Sequence, residues 1–253
     1  MKVTFLGTGT SIGVPVITCD CPVCLSTDPR DKRLRTSAMI EVDGHTFVID
    51  CGPDFRIQML RENVANLDAV VFTHEHRDHI AGLDDVRAFN YVLNKKIDIY
   101  GTPSVMEAIR TEFPYIFSAT RYFGAPQLTI HPIDANPFTI CGIEFIPIQV
   151  LHENLPVFGF RVGDFTYITD ASFISRGELE KVKGSRIIVL NALRNSKHIS
   201  HFSVNEAVDI IKDLHPEAGY LTHLSHFVGL HEEVNRKLPD NIQLAYDGLV
   251  VTL

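Results

Sequence analysis

The stretch that decides the fold is Thr73-His-Glu-His-Arg-Asp-His79, in which four of six consecutive residues carry metal-ligand side chains. These residues are His74, His76, Asp78 and His79. Imidazole and carboxylate groups together suit zinc, manganese or iron. The stretch therefore predicts a metal centre.

The flanking sequence predicts how this stretch is held. The apolar run 67–72 is typical of a buried strand, and the residues that follow the stretch predict a helix near 80–93. Alternate residues of an extended segment share a side, so His74 and His76 can meet one cation. The turn into the helix then directs Asp78 and His79 toward a second point. Two neighbouring cations are expected.

Three more ligand side chains stand at the ends of other predicted strands. His152 follows the strand 143–150, Asp170 follows 165–169, and His223 follows 219–222. A single residue of this kind often caps a helix or faces water. Four strand ends that all supply nitrogen or oxygen ligands are difficult to explain without a metal.

The composition is that of a globular protein with a sizeable core. The chain has 253 residues, 45% of them hydrophobic, and we predict one domain over 1–253 with an α+β fold. No apolar run approaches the ~20 residues of a membrane span, and the N-terminus lacks a signal peptide, so a cytoplasmic protein is expected. The net charge of −8 argues against a nucleic-acid surface, although bound cations would still attract an anionic substrate.

Three cysteines lie close together near the N-terminus, at Cys19, Cys21 and Cys24. In a reducing compartment this spacing favours a metal site over disulfides. A closed tetrahedral zinc site needs a fourth ligand. The residues alone leave Cys51, Cys141 or a distant histidine as candidates.

Several features of the sequence allow more than one interpretation. The Gly7-Thr-Gly-Thr-Ser-Ile-Gly13 stretch follows a strand but leads to Pro15 instead of a helix, so we interpret it as a tight backbone turn and not as a dinucleotide loop. Asp50 could orient a metal ligand from outside or cap the helix predicted over 54–66. The aromatic segment 113–127, which includes Tyr122, could line the substrate pocket, pack ordinarily or contact a second subunit.

The pattern His-x-His-x-Asp-His resembles the metal signature of the metallo-β-lactamase superfamily, and Phe5-Leu-Gly-Thr-Gly and Val48-Ile-Asp-Cys-Gly are also similar to it. The resemblance implies a four-layer αββα sandwich with the site at one edge of the paired sheets. It further implies one ion held by His74, His76 and His152, a second held by Asp78, His79 and His223, and a bridge through Asp170.

The residues His201-Phe-Ser203 resemble a motif of the superfamily's phosphodiesterase branch, which includes tRNase Z. There the histidine is not a ligand, and the resemblance implies that His201 is the general acid. Asp78 is also predicted to be a catalytic residue. The alternative is a histidine that packs against the start of a helix. Arg194, Lys197 and His198 are weaker candidates for phosphate contacts.

The cysteine cluster and Thr222-His-Leu-Ser-His226 together resemble the phosphodiesterase subfamily of bacterial phosphonate breakdown, which opens a cyclic phosphate. The resemblance implies a structural zinc held by Cys19, Cys21, Cys24 and His226. This site would tie the N-terminal loop to the C-terminal half of the chain.

These observations predict a phosphodiesterase that hydrolyses a small, cyclic phosphodiester with hydroxide generated by two divalent ions, Mn or Zn, and with His201 as acid. The main alternative is an RNA 3′-end nuclease of the tRNase Z kind. It is disfavoured because no long basic arm interrupts the strands. A third reading, a metal protein without turnover, would be expected to lack part of the ligand set. A homodimer is expected by family analogy.

Overall fold

Fifteen strands occur in the part of the chain that the structure, a computed structural model, describes: residues 1–118, 120 and 123–253. They are β1 (Lys2–Gly7), β2 (Ser37–Val42), β3 (His45–Ile49), β4 (Ala69–Val71), β5 (Ile97–Gly101), β6 (Leu128–Pro132), β7 (Phe138–Ile140), β8 (Ile143–His152), β9 (Leu155–Val162), β10 (Phe165–Ile168), β11 (Phe173–Ile174), β12 (Ile187–Asn191), β13 (Ala218–Thr222), β14 (Ile242–Leu244) and β15 (Val250–Thr252). One sheet has the order β15-β1-β2-β3-β4-β5-β6. The other has the order β11-β8-β9-β10-β12-β13-β14, with β7 paired to β8.

Each sheet joins an antiparallel part to a parallel part. In the first sheet the strands from β3 to β6 are parallel, and in the second the parallel strands are β10, β12, β13 and β14. The carboxyl ends of parallel strands meet at one edge of a sheet. Residues that follow β3, β4, β10 and β13 are therefore brought toward a common edge.

The layers follow from the alternation of side chains along each strand. On β3, Phe47 and Ile49 belong to the apolar cluster between the sheets, whereas Val48 belongs to the cluster under the helices of the first sheet. On β12, Val189 faces the inner cluster and Leu190 faces the helices of the second sheet. Both faces of both sheets are covered, which confirms the four-layer αββα arrangement.

The helices among the described residues are short. They are α1 (Pro22–Leu25), α2 (Phe55–Arg61), α3 (Arg77–Ile80), α4 (Arg87–Leu93), α5 (Pro103–Glu112), α6 (Pro114–Phe117), α7 (Arg176–Val182), α8 (Val204–Leu214) and α9 (His231–Asn235). None of these helices combines the length and apolar character that crossing a bilayer requires.

The prediction of one helix near 80–93 was wrong. The segment divides into α3, a 3-10 turn over Leu83–Val86, and α4. The cause lies at Gly82, whose backbone N–H donates to the carbonyl of Cys51 at 2.8 Å. A Cβ at Gly82 would overlap the carbonyl oxygen of Gly52, so this contact with the chain after β3 interrupts the helix.

The first half of the aromatic segment 113–127 packs ordinarily. Phe113 and Ile116 are buried in the cluster between the first sheet and its helices, and Phe123 is exposed. Tyr122 lies outside the described residues. The packing of Phe113 and Ile116 favours a structural role for this half of the segment.

Candidate metal centre

The structure brings the ligand stretch and the three other strand-end residues together. Their ligand atoms form sets in which all members lie within 4.8 Å of one another. The sets are His74, His76 and His152; His74, His79 and Asp170; and Asp78, His79 and His223. Two of these sets match the two ion sites that the family resemblance implies, and Asp170 lies close to residues of both.

Ring nitrogens in this cluster are buried without a hydrogen-bond partner among the described residues. This is so for Nε2 of His74, His79 and His223, although carboxylate oxygens of Asp78 and Asp170 lie 3.3 and 3.2 Å from the last two without hydrogen-bond geometry. The three side chains are almost fully buried, and an unsatisfied buried polar atom costs about 1–3 kcal/mol. Three such lone pairs directed into one region are explained by cations that accept them, so the residues present fit a divalent metal pair.

The charges of the cluster also favour cations. Burial by itself lowers the pKa of His79, but the carboxylates of Asp50, Asp170 and Asp78 outweigh it and raise that pKa well above its usual value. Burial raises the pKa of Asp170, and the neighbouring imidazoles, His223 first, more than reverse this. Two buried carboxylates and one partly buried carboxylate around one imidazole create a site that attracts positive charge.

Asp50 fixes the ring of His79. Its Oδ2 lies 2.7 Å from His79 Nδ1, and its two oxygens accept from the backbone N–H and the hydroxyl of Thr73 at 2.9 and 2.8 Å. The helix α2 has Asp54 and not Asp50 at its N-cap. Of the two interpretations from sequence, the structure therefore favours outer support of a ligand. With Nδ1–H donated to Asp50, the Nε2 lone pair of His79 is free for a metal.

Three residues of the site have left-handed backbone within two positions of the end of a strand. Asp50 has φ 63°, Asp170 has φ 55° and His223 has φ 55°. Asp and His tolerate this conformation better than bulky or β-branched residues, but it remains sparsely populated and concentrates at functional sites. The sharp turn at each strand end lets the side chain point into the centre. The sequence analysis did not predict this geometry.

Asp170 and His201 form the middle of the cluster. His201 Nε2 lies 3.0 Å from Asp170 Oδ1, and the same oxygen lies 3.2 Å from His223 Nε2. The turn that follows β10 is held by the side chain of Asn191. Its Oδ1 accepts from the N–H of Ala171 at 2.8 Å, and its Nδ2 donates to the carbonyl of Ala171 at 2.9 Å. Asn191 was missed in the sequence, where it reads only as the last residue of a buried strand.

Ser200 links three histidines and was also missed. Its carbonyl lies 2.8 Å from His152 Nδ1, and its Oγ lies 2.9 Å from His201 Nδ1 and 3.1 Å from His198 Nδ1. The helix start that follows is fixed by the predicted capping box of Ser203 and Glu206. His201 also lies within ligand distance of His152 and Asp170, so geometry alone permits either an acid or a ligand.

The fourth candidate ligand beside the three clustered cysteines is a histidine and not another cysteine. The Sγ atoms of Cys19, Cys21 and Cys24 lie 3.3, 3.4 and 3.5 Å from Nδ1 of His226. The helix α1 sets the spacing, because Cys21 is its N-cap and accepts from the N–H of Cys24. That backbone bond is the main cause that lowers the pKa of Cys21 to about 6. Three sulfurs at similar distances from one nitrogen fit a tetrahedral zinc.

The support of His79 by Asp50 gives a first prediction. Asp50→Asn is expected to lower the affinity for divalent metal by about 10–100-fold. The neutral amide would no longer fix the orientation of the His79 ring or increase the basicity of its Nε2. Metal titration of the stripped protein measures it, with Asp54→Asn as the control at a carboxylate that pairs with Arg35. Unchanged affinity in the Asp50 variant would contradict the role.

Comparisons with known proteins agree with this geometry. A family model described as a β-lactamase superfamily domain matches residues 45–224. A crystal structure described as a new diphosphatase from the PhnP family is 40% identical, with a TM-score of 0.93, and the match covers 100% of this chain and 97% of that chain.

Two curated relatives are matched over part of their length. Octanoyltransferase of Porphyromonas gingivalis is 39% identical over 98% of this chain and 51% of that protein. Ribonuclease Z of Thermosynechococcus vestitus is 27% identical over 64% of this chain and 36% of that protein. The chain thus spans about half of the first relative and about a third of the second.

The family model spans residues 45–224, a range that includes His74, Asp170 and His223 of the centre, and the similarity to a PhnP-family structure covers the whole chain. The chain belongs to the metallo-β-lactamase superfamily of hydrolases and, within it, to the PhnP family.

Proposed function

We propose that this protein is a metal-dependent phosphodiesterase with a dinuclear centre, acting on a small phosphodiester such as a cyclic phosphate. The observation that supports it most directly is the convergence of unpartnered buried Nε2 atoms from His74, His79 and His223 beside Asp170. Ribonuclease Z and a PhnP-family diphosphatase, both named for phosphoryl-ester or phosphoanhydride chemistry, are among the relatives.

The proposed ligands follow the observed sets. One divalent ion, Mn or Zn, would be held by His74, His76 and His152, and the other by Asp78, His79 and His223, with Asp170 shared. When bound, such a pair lowers the pKa of water and neutralises the charge of phosphate oxygens. A separate structural zinc would be held by Cys19, Cys21, Cys24 and His226.

His201 is the proposed general acid. Asp170 Oδ1 accepts from Nε2–H of His201, and Ser200 Oγ contacts Nδ1, so the imidazole is oriented at both nitrogens. Asp170 thus holds the Nε2–H at the edge of the centre, and the leaving oxygen of a bound substrate would take this proton in place of Asp170. Protonation prevents the slow departure of a bare alkoxide.

The small size of the substrate is supported by charge and by the sequence between the strands. The net charge is −8, and no long basic arm interrupts the strands to hold an RNA. The RNA nuclease alternative rests on the ribonuclease Z relatives, which are matched over about a third to half of their length. The homodimer, the cytoplasmic location and the single domain stay predictions.

Turnover by the protein reconstituted with Mn or with Zn tests the proposal. We expect hydrolysis of bis(p-nitrophenyl) phosphate and of cyclic phosphates, and none after chelation. A tRNA precursor serves as the competing substrate. Cleavage of the precursor at a higher kcat/KM than every small diester would favour the nuclease alternative, and no turnover of any phosphodiester by fully loaded protein would reject both.

A further inference from the structure

A buried threonine stands directly before a candidate metal ligand at three places in the chain. The pairs are Thr73-His74, Thr169-Asp170 and Thr222-His223. The hydroxyl of Thr73 contacts His74 and also Asp50, the carboxylate that supports the ring of His79. The proposed reaction gives Thr73 no role, although this side chain lies between residues of both ligand sets.

The direction of each hydrogen bond around Thr73 follows from its partners. An ionised carboxylate only accepts, so the hydroxyl of Thr73 donates to Asp50 Oδ2, at 2.8 Å. That hydroxyl has a single hydrogen, and its oxygen therefore accepts from Nδ1–H of His74, at 2.9 Å. With the hydrogen on Nδ1, the lone pair of the neutral His74 ring is on Nε2. This Nε2 is buried without a hydrogen-bond partner in the described part of the chain.

Asp50 extends these contacts to the second ligand set. Its Oδ2, which accepts from Thr73, also lies 2.7 Å from Nδ1 of His79. A chain of hydrogen bonds thus runs from His74 through Thr73 and Asp50 to His79, and the centroids of the two rings are 4.1 Å apart. One ring belongs to the set with His76 and His152, and the other to the set with Asp78 and His223. The chain joins the two sets on the Nδ1 side of both rings.

The backbone of Thr73 is fixed as firmly as its side chain. Its N–H donates to Asp50 Oδ1 at 2.9 Å, and its carbonyl accepts from the N–H of Phe158 on β9 at 3.1 Å. Thr73 follows β4, so contacts with both sheets hold it. The residue is 1% exposed, and a β-branched side chain has few rotamers. The hydroxyl therefore cannot turn to water or to another partner without a change in the fold.

We propose that Thr73 is a positioning residue that fixes the metal-binding tautomer of His74 and couples the two ligand sets through Asp50. The inference rests on the proposed function, because coupling of this kind acts on a dinuclear centre. Without the hydroxyl, Nδ1–H of His74 would lose its acceptor, and a shift of the hydrogen to Nε2 would remove the lone pair that binds metal. Asp50 would lose one of its donors, so the ring of His79 would also be held less firmly.

Replacing Thr73 with valine removes the hydroxyl and keeps the branched shape. We expect the affinity of the chelator-stripped protein for Mn²⁺, measured by calorimetric titration, to fall by about 10–100-fold. Mn²⁺ is chosen because it prefers nitrogen and oxygen ligands to the thiolates of the cysteine cluster. Thr73→Ser, which retains the hydroxyl, should restore most of the affinity.

Thr166→Val is the matched control for the loss of a buried hydroxyl. Thr166 is 0% exposed and its Oγ1 lies 2.7 Å from Oγ of Ser185, near the start of β10, whereas the centre lies beyond the end of that strand. Its Mn²⁺ affinity should stay within about two-fold of the wild type. Unchanged affinity in Thr73→Val, or an equal loss in Thr166→Val, would overturn the positioning role.

A double-mutant cycle with Asp50→Asn tests the coupling. Because both residues act through one chain of hydrogen bonds, the double variant should bind Mn²⁺ within about three-fold of the affinity of Asp50→Asn alone. A loss equal to the product of the two single losses would show that Thr73 and Asp50 act independently, and it would overturn the coupling.

The tautomer of His74 provides a readout that does not depend on bound metal. Long-range ¹H–¹⁵N NMR of the metal-free wild type should show the hydrogen on Nδ1, and Thr73→Val should lose this preference. A hydrogen on Nε2 in the wild type would overturn the inference. A wild-type protein that shows the expected tautomer but binds no Mn²⁺ would reject the proposed function instead, with the orientation of His74 by Thr73 retained.

Discussion

Replacing His201 with alanine is expected to reduce the hydrolysis of a cyclic phosphodiester by about 10²–10⁴-fold while the bound metal is retained. His201 is buried, its Nε2 is 3.0 Å from Asp170 Oδ1, and its Nδ1 contacts Ser200. A donor held at both nitrogens can protonate a departing alkoxide with little reorganisation. Without it the alkoxide must leave unassisted.

The leaving group provides an internal control for this prediction. A p-nitrophenolate departs readily without a proton, so the loss on bis(p-nitrophenyl) phosphate should be clearly smaller than the loss on the cyclic diester. Elemental analysis of the same samples reports the metal content. His215→Ala should change neither quantity, because His215 is exposed at the end of α8.

A different result would assign His201 to the metal. Its ring nitrogen lies within ligand distance of His152 and Asp170. If His201→Ala loses metal and turnover together, and to the same degree for both leaving groups, His201 is a ligand and the acid assignment is wrong.

Replacing Cys21 with alanine is expected to remove one zinc per chain and to lower the free energy of unfolding by about 4 kcal/mol or more. Cys21 lies 3.4 Å from His226 Nδ1 and is the N-cap of α1. The site connects the loop after β1 to the segment after β13. Loss of the metal would therefore release two parts of the chain that are 205 residues apart.

Zinc content and denaturant unfolding measure this effect. Cys141→Ala is the matched control, since Cys141 is exposed in the turn between β7 and β8 and belongs to no ligand set among the described residues. Turnover should also fall in the Cys21 variant, because His223 lies only three positions before His226. Retention of all zinc by Cys21→Ala would reject the structural zinc.

The strands and the candidate ligands could be predicted from the sequence because both depend on local patterns. Apolar alternation marks strands such as β3 and β12, and the capping box marks the start of α8. The interruption of the helix predicted near 80–93 could not be predicted from local patterns. It comes from Gly52, a residue distant in sequence that approaches Gly82.

The fourth ligand of the cysteine site also depended on contacts that local sequence patterns do not specify. From the residues alone Cys51, Cys141 and a histidine stayed open, and only the resemblance selected His226. In the structure Cys51 is buried under the first sheet and Cys141 is exposed elsewhere. Proximity to His226 arises because residue 224 pairs with the Gly7–Gly13 turn, where Leu224 donates to the carbonyl of Thr8 at 2.8 Å.

By itself the sequence determined which side chains can bind metal and that they end strands, since residue type and periodicity are local properties. Tertiary structure decided which of them share a site. Asp170 and His223 meet because β10, β12 and β13 are parallel and in register, with Ile168, Leu190 and Leu221 side by side. The supporting contacts of Asp50, Asn191 and Ser200 were also decided there. Asp50 supports His79, Asn191 holds Ala171 and Ser200 contacts His152 across 20 or more positions, and residue type and periodicity do not specify such pairs.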